Sequence, residues 1–202
     1  LIGIAKDTKE DLRRKLLLAM EGDLVITTAG VSTGAFDIVK DVLSDLGSMS
    51  FWAVRMRPSR PIAFGTLKNQ EGRDIPHIGL PGNPVSALIA FMQFGRPALA
   101  KMMGKTPQPL PIVQAKLTET IVNYDKRRVY SRVALHKRGK MIYAEPIKGE
   151  GSNLLSSLIN ADGLAICPET SPKVSKGDLV TVQLIDWRDQ YQLFQHSYSS
   201  KS

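Results

Sequence analysis

Leu24-Val25-Ile26-Thr27-Thr28-Ala29-Gly30-Val31-Ser32-Thr33-Gly34-Ala35-Phe36-Asp37 is the stretch that decides the fold. Its first five residues are apolar or β-branched and uncharged, the composition of a short buried strand. A loop of small residues follows, and then Phe36, Val39, Val42, Leu43 and Leu46 recur at helical spacing. Gly47 is placed to stop that helix just past its last turn. Strand, glycine loop and helix in succession form the repeating element of an α/β sheet.

Upstream, Leu12, Leu16, Leu17 and Met20 mark an amphipathic helix that ends at Gly22. The opening Leu1-Ile2-Gly3-Ile4-Ala5-Lys6-Asp7 reads as the end of a strand, with neither an initiator methionine nor a leader signature. It is therefore expected to continue from an upstream part of a longer protein.

Downstream, residues 51–56, 61–67 and 75–80 are strand-like, with a polar turn over 68–74. Pro81-Gly82-Asn83-Pro84 opens a long helical pattern through Val85, Leu88, Phe91, Met92, Leu99 and Met102, which Gly95 and Pro97 interrupt. Residues 1–105 are thus expected to form an α/β domain, a mostly parallel sheet flanked by helices. Three prolines within 106–111 read as a stiff linker. Beyond it, strand-like runs at 112–118, 129–137, 141–146, 163–167 and 179–185 predict a small all-β domain over 112–187, barrel-like or sandwich-like. Residues 188–202 read as a tail.

The chain carries 27 Lys and Arg against 19 Asp and Glu, a formal charge of +8. Such an excess favours anionic partners. The basic residues are dispersed and match no nucleic-acid-binding signature, so small anions fit better than a polymer, and no nucleic-acid partner is expected. No run approaches the roughly 20 apolar residues of a membrane span, and a cytoplasmic setting is the default. The single cysteine, Cys167, lies in an apolar run and reads as a buried structural thiol. His77, His136 and His196 have no metal-ligand spacing.

Several segments carry chemistry. In the loop after the first strand, Thr28, Gly30, Ser32 and Gly34 can offer hydroxyls and backbone N–H groups to an anion at the positive end of the next helix. The same residues also suit a tight turn that simply needs glycine, and both readings stand. Asp37 lies in the first turn of that helix, where the helix dipole alone accounts for a carboxylate. With Asp7 at the same sheet edge, it would also make a hard-cation donor set suited to Mg²⁺. Arg55, Arg57 and Arg60, punctuated by Pro58 and Pro61, form a basic cluster whose planar forks suit oxyanions. Gly82 and Asn83 precede a helix in which Asn83 is the N-cap and Pro84 the first residue, with Ser86 one turn in. Arg127, Arg128 and Arg132 lie on or before one strand of the second domain, near the glycine-rich turn Gly149–Asn153.

Taken together, the segments 23–37, 51–61 and 80–86 resemble the molybdopterin molybdenumtransferase family, which includes the C-terminal region of gephyrin. Arg127–Val133 and Gly151-Ser152-Asn153 resemble that family's small β domain. The resemblance covers residues 1–187. It implies insertion of molybdate into adenylated molybdopterin with release of AMP, in molybdenum cofactor biosynthesis. On this resemblance Asp7 and Asp37 match acidic positions tied to activity and Mg²⁺. Arg57, Arg60 and Ser86 match positions near molybdate, and Arg132 and Ser152 match β-domain residues directed at the same oxyanion. It also implies a homodimer for the longer protein and contact with other molybdenum cofactor enzymes.

The sequence departs from the family pattern at Ala29 and Ser59, where glycines are usual, at Arg57 and Arg60, where lysines are usual, and at Ala53. Family members carry further domains upstream, so the isolated chain is expected to fold with weak or no catalysis. Two alternatives are the related molybdopterin adenylyltransferase, which shares the α/β domain, and a non-catalytic scaffold on the same fold.

Overall fold

The computed structural model describes residues 1–31, 36–147, 158 and 160–185, and the backbone alone at Phe36 and Asp37. The chain divides into two compact units. The first comprises Leu1–Val54 with Ser59–Pro107, and the second comprises Arg55–Pro58 with the chain from Gln108 onward.

In the first unit, helix α1 (Lys9–Ala19) leads to strand β1 (Val25–Thr28) and helix α2 (Phe36–Leu46). Strands β2 (Gly47–Ala53), β4 (Pro61–Lys68) and β5 (Asp74–Leu80) follow, with the two-residue strand β3 (Met56–Arg57) between β2 and β4. The sheet order is β1-β5-β4-β2. The expectation of a mostly parallel sheet is corrected here. Only β1 and β5 run parallel, while β5–β4 and β4–β2 are antiparallel. The cause is the short turn between β4 and β5. Asn69 Oδ1 accepts from the N–H groups of Glu71 and Arg73 at 3.1 and 2.8 Å, and Gly72 takes φ +79°. A turn of that length can join only antiparallel neighbours.

One face of this sheet packs against α1 and α2 through Leu16, Met20, Val42, Leu43, Leu67 and Ile75. The other face carries Ile62, Ile78 and Leu80 against helix α3 (Pro84–Ala90) and the turns beyond it. The predicted interruption at Gly95 is a π-helical turn, Phe91–Gly95, before helix α4 (Arg96–Met102). A side chain at Gly95 would meet the Phe91 ring at 2.4 Å, which explains the glycine.

Two local expectations change. Gly47 is not a left-handed helix terminator: β2 begins there directly after α2. Among the described residues, residues 1–6 pair with no strand, and Leu1 and Ile4 are exposed. A segment without a ladder partner, with Gly3 at φ +90°, is not a strand.

In the second unit, β6 (Ile112–Leu117), β8 (Arg128–Arg138), β9 (Met141–Pro146), β10 (Gly163–Cys167) and β12 (Leu179–Leu184) close on one another in the order β10-β12-β6-β9-β8, with β8 also pairing β10. This is a small barrel filled by Val113, Ala115, Leu117, Val133, Ala165 and Val182. A separate pair, β7 (Ile121–Val122) with β11 (Lys173–Val174), flanks it. Strand β3 joins the barrel sheet by pairing parallel to β8, Met56 opposite Arg128 and Arg57 opposite Val129. Sequence reading placed β3 in the α/β domain, because it lies between two strands of that sheet. Its pairing partner puts it in the other unit. Cys167 is fully buried, and burial pushes its thiol pKa up. Among the described residues no helix is long and apolar enough to cross a membrane.

Candidate functional site

Because β1 and β5 are parallel and in register from Val25 opposite His77 to Thr28 opposite Leu80, their carboxyl ends finish on one edge. The loops leaving them stay together: Ala29 N–H donates to Leu80 O at 3.0 Å. A side chain at Gly82 would lie 3.1 Å from Ala29 Cβ. Gly30 is forced both by its φ of +77° and by Val39, whose methyls stand 2.7 Å from where a Cβ would be. Thr28, Gly30 and Gly82 thus share one edge.

Ala29 takes φ +78°, a left-handed conformation that costs any residue with a Cβ. Ala29→Gly is therefore expected to stabilise the unit by about 0.5–1 kcal/mol, readable as a higher urea midpoint. An unchanged or lower midpoint would count against strain at this position.

Asn83 caps α3 as its sequence suggested: its Oδ1 accepts from Ser86 N–H at 3.2 Å, and Pro84 occupies the first helical position. Ser86 is buried, and its carbonyl accepts a hydrogen bond from the Ser59 hydroxyl at 2.5 Å. Arg60 follows directly. It is exposed, and its guanidinium has no hydrogen bond or ion pair among the described residues. The structure therefore brings Thr28, Gly30, Gly82, Asn83, Ser86 and the backbone of Arg60 to one region of the first unit. Ser32 and Gly34 lie outside the described residues, as does the side chain of Asp37.

Asp7 sits in a bend before α1 rather than at a strand end, and it is exposed. The capping work there falls to Thr8, whose Oγ1 accepts from Asp11 N–H, and to Asp11, whose Oδ2 accepts from Lys6 N–H at 2.8 Å. The backbone hydrogen bond from Lys6 and the bond from Arg14 hold the Asp11 carboxyl below its usual range. Asp7 has no partner among the described residues. Lys9 Nζ reaches Asp41 Oδ2 at 2.6 Å, which brings the first turn of α1 beside α2, one turn beyond Asp37. No group of three metal-ligating side chains occurs among the described residues. Two carboxylates that leave the remaining positions to water and phosphate are a donor set that suits Mg²⁺.

Arg57 is placed differently from its expected role as an oxyanion ligand. Its guanidinium donates to Val122 O at 2.8 Å, lies 3.5 Å from Asp125 Oδ2 and stacks 4.1 Å above the Tyr124 ring. Asp125 also binds Arg127. Burial raises the Asp125 pKa, but the Arg127 hydrogen bond and the two guanidinium charges outweigh that and leave the carboxyl below its usual range. A carboxylate, a carbonyl and a ring hold this arginine, while its Nη1 has no hydrogen-bond partner among the described residues. The partners are far away in sequence, so nothing local to Arg57 signals them. Arg55 likewise donates to Lys126 O at 3.1 Å. Arg132 lies on β8, half-buried, and burial lowers its pKa. Ser152 lies outside the described residues.

One polar residue that the site reading missed is His77. It is fully buried on β5, with Nε2 3.1 Å from Thr27 Oγ1 and with Nδ1 unsatisfied among the described residues. Burial drops its pKa to about 4, so at neutral pH it props the end of β1 as an uncharged ring.

An α/β unit with its loops gathered at the strand ends, followed by a small barrel, defines a class of ligand-binding proteins built at a sheet edge. Comparison with known families narrows it. Residues 1–101 match the family described as a probable molybdopterin binding domain, and residues 114–185 match the MoeA C-terminal region, domain IV. The chain belongs to this MoeA-type molybdopterin-binding family.

Among its relatives, molybdopterin molybdenumtransferase of Haemophilus influenzae is 31% identical over 90% of this chain and 45% of its own length. Gephyrin of Dictyostelium discoideum is 32% identical over 92% of this chain and 29% of its own. The solved structure of a molybdopterin biosynthesis MoeA protein from Pyrococcus horikosii superposes with a TM-score of 0.73 at 30% identity, covering 92% of this chain and 44% of that one. The chain thus spans less than half the length of each of these relatives.

Proposed function

We propose that this chain forms the strand-end half of a molybdopterin molybdenumtransferase, binding adenylated molybdopterin and inserting molybdenum from molybdate with release of AMP. The observation that carries the reading is Arg60. It is an exposed guanidinium with no described partner, its backbone adjoins the residue bonded to Ser86, and both lie at the carboxyl edge of parallel strands. A fork of five donors suits a tetrahedral oxyanion, and the Ser86 hydroxyl adds a further donor or acceptor. Thr28, Gly30, Gly82 and Asn83 lie in loops where backbone N–H groups would receive the phosphates, and Ser32 and Gly34 are assigned to the same ligand from the sequence. Arg132 and Ser152 are assigned to oxyanion binding from the family resemblance alone. Arg57 is assigned instead to holding its own segment in place.

Asp7 and Asp37 would hold Mg²⁺, which supplies positive charge against the phosphates when bound. The match of residues 114–185 to the MoeA C-terminal region supports the molybdenum-inserting reading over the adenylyltransferase. In the longer protein we assign a homodimer, contact with other molybdenum cofactor enzymes and a cytoplasmic setting, from the family resemblance alone.

The test is calorimetric titration of molybdate into the chain with Mg²⁺ and adenylated molybdopterin present. Arg60→Ala is expected to weaken molybdate binding by about tenfold or more, as loss of a charge-assisted contact does, with little change in stability. Arg57→Ala should show the reverse: affinity largely kept, and stability lowered by about 1–3 kcal/mol through loss of its hydrogen bond and ring contact. Unchanged affinity in Arg60→Ala would remove the basis for the reading. Chelating Mg²⁺ should weaken binding of the adenylated pterin, and Asp37→Ala should remove that sensitivity.

A further inference from the structure

We infer that Ser59 is a positioning residue for oxyanion capture: its hydroxyl fixes the Arg60 backbone against the first turn of α3. This rests on the reading that Arg60 and Ser86 hold the oxyanion.

Ser59 adopts φ +79°, which glycine accepts freely and serine does not. It is nevertheless buried, at 5% exposure, and its Oγ reaches across 27 residues of sequence to the Ser86 carbonyl at 2.5 Å. On the other side, Val54 N–H donates to Arg60 O at 2.8 Å. The main chain of the dipeptide Ser59-Arg60 is therefore held twice, once by a side chain directed at α3 and once by a backbone bond beside the end of β2.

Ser86 is held too. Its carbonyl takes the Ser59 hydroxyl, and its N–H is taken by the Asn83 side chain. The Ser59 hydroxyl thus ties the backbone at the root of Arg60 to the backbone of Ser86. Arg60 carries a long, rotatable side chain, and fixing its root restricts where the guanidinium can be at little further entropic cost. A glycine at 59 would satisfy the backbone but would remove the hydrogen bond that joins this loop to the helix. The strained serine gives the tie, and retention of strain at a buried, hydrogen-bonded position is what a positional role predicts.

Two substitutions separate strain from tie. Ser59→Gly accepts the backbone angle and removes the hydroxyl; Ser59→Ala removes the hydroxyl and keeps the strain. Both are expected to raise the Kd for molybdate about tenfold, because either one frees the Arg60 root. Their stabilities should diverge. Ser59→Gly should melt near the parent, and Ser59→Ala should melt clearly lower. Amide exchange at Arg60 and at residues 86–87 should quicken in both. A purely structural serine would make affinity follow melting temperature, so that Ser59→Gly bound molybdate like the parent; that result overturns the inference. If the parent binds molybdate through Arg60, as shown by loss in Arg60→Ala, and Ser59→Gly binds equally well, only this inference fails. If the parent shows no Arg60-dependent molybdate binding, the oxyanion reading fails and takes this inference with it.

Discussion

Acidifying this protein from neutral pH to about 4 is expected to remove about 3 kcal/mol of stability through one residue, His77. The folded state holds the ring neutral down to about 4, because burial disfavours the imidazolium. An unfolded chain would take up the proton near the ordinary value of about 6.5. Between those two values the unfolded state binds more protons than the folded one. Stability from this group is therefore fully present above the upper value, and it is lost as pH falls toward the lower.

His77→Gln keeps a polar partner for Thr27 and removes the titration. Urea unfolding followed across this range should show a slope in the parent that is largely gone in the variant. Parallel curves for the two would assign the acid sensitivity elsewhere. The carboxyls of Asp11, Asp125 and Glu169, each held below its ordinary value, begin to lose their contribution as pH falls through that ordinary value, but they do so alike in parent and variant, so the difference between the two curves still reports His77.

A second large effect is expected at Gly47, where alanine should destabilise the first unit by about 3 kcal/mol, at the upper end of what overpacking costs. A Cβ there would stand 2.0 Å from Thr66 O and 2.8 Å from Leu67 Cα, both backbone atoms of the paired strand β4. Neither can step aside without breaking the register of Gly47 opposite Leu67. Gly22→Ala is the control, since the nearest atom to a Cβ there is at an ordinary 3.5 Å. Chemical denaturation of both variants settles the matter. A Gly47→Ala protein as stable as the control would show that the β2–β4 edge yields more readily than its geometry indicates.

Gly47 also shows how far the sequence could be read. Its place after an amphipathic run invites a helix-ending role, and periodicity did locate the helix correctly. What periodicity does not carry is the approach of a second strand, which depends on residues 66 and 67. The same division applies to the candidate site. Asn83, Pro84 and Ser86 were legible because capping is local: the N-cap, the first helical residue and the side chain one turn in are set by neighbours in the chain. The antiparallel direction of β4 was already implied by its short polar turn to β5, and only the habit of strand-helix alternation hid it. Arg57 could not be read, because its carboxylate, carbonyl and ring all come from residues 122–125. His77 could not be read either, since no spacing distinguishes a buried histidine from an exposed one. The partners of Ser59 and Arg60 illustrate the remainder: a serine between prolines signals a turn, but not the carbonyl that its hydroxyl will find.

The pairing of β3 with β8 bears on how such a protein can be cut. The proline-rich segment at 106–111 invites the protein engineer to express the barrel alone, starting near Gln108. That piece would lack Met56 and Arg57, and with them the strand beside Arg128 and the cation over Tyr124. The chain leaves the first unit after Val54, returns at Ser59 and leaves again after Pro107, so the barrel borrows four residues from upstream. A module transplanted or inherited without them would arrive with an uncovered edge on β8. A short peptide spanning residues 54–59, supplied in trans, is the natural candidate to fill it.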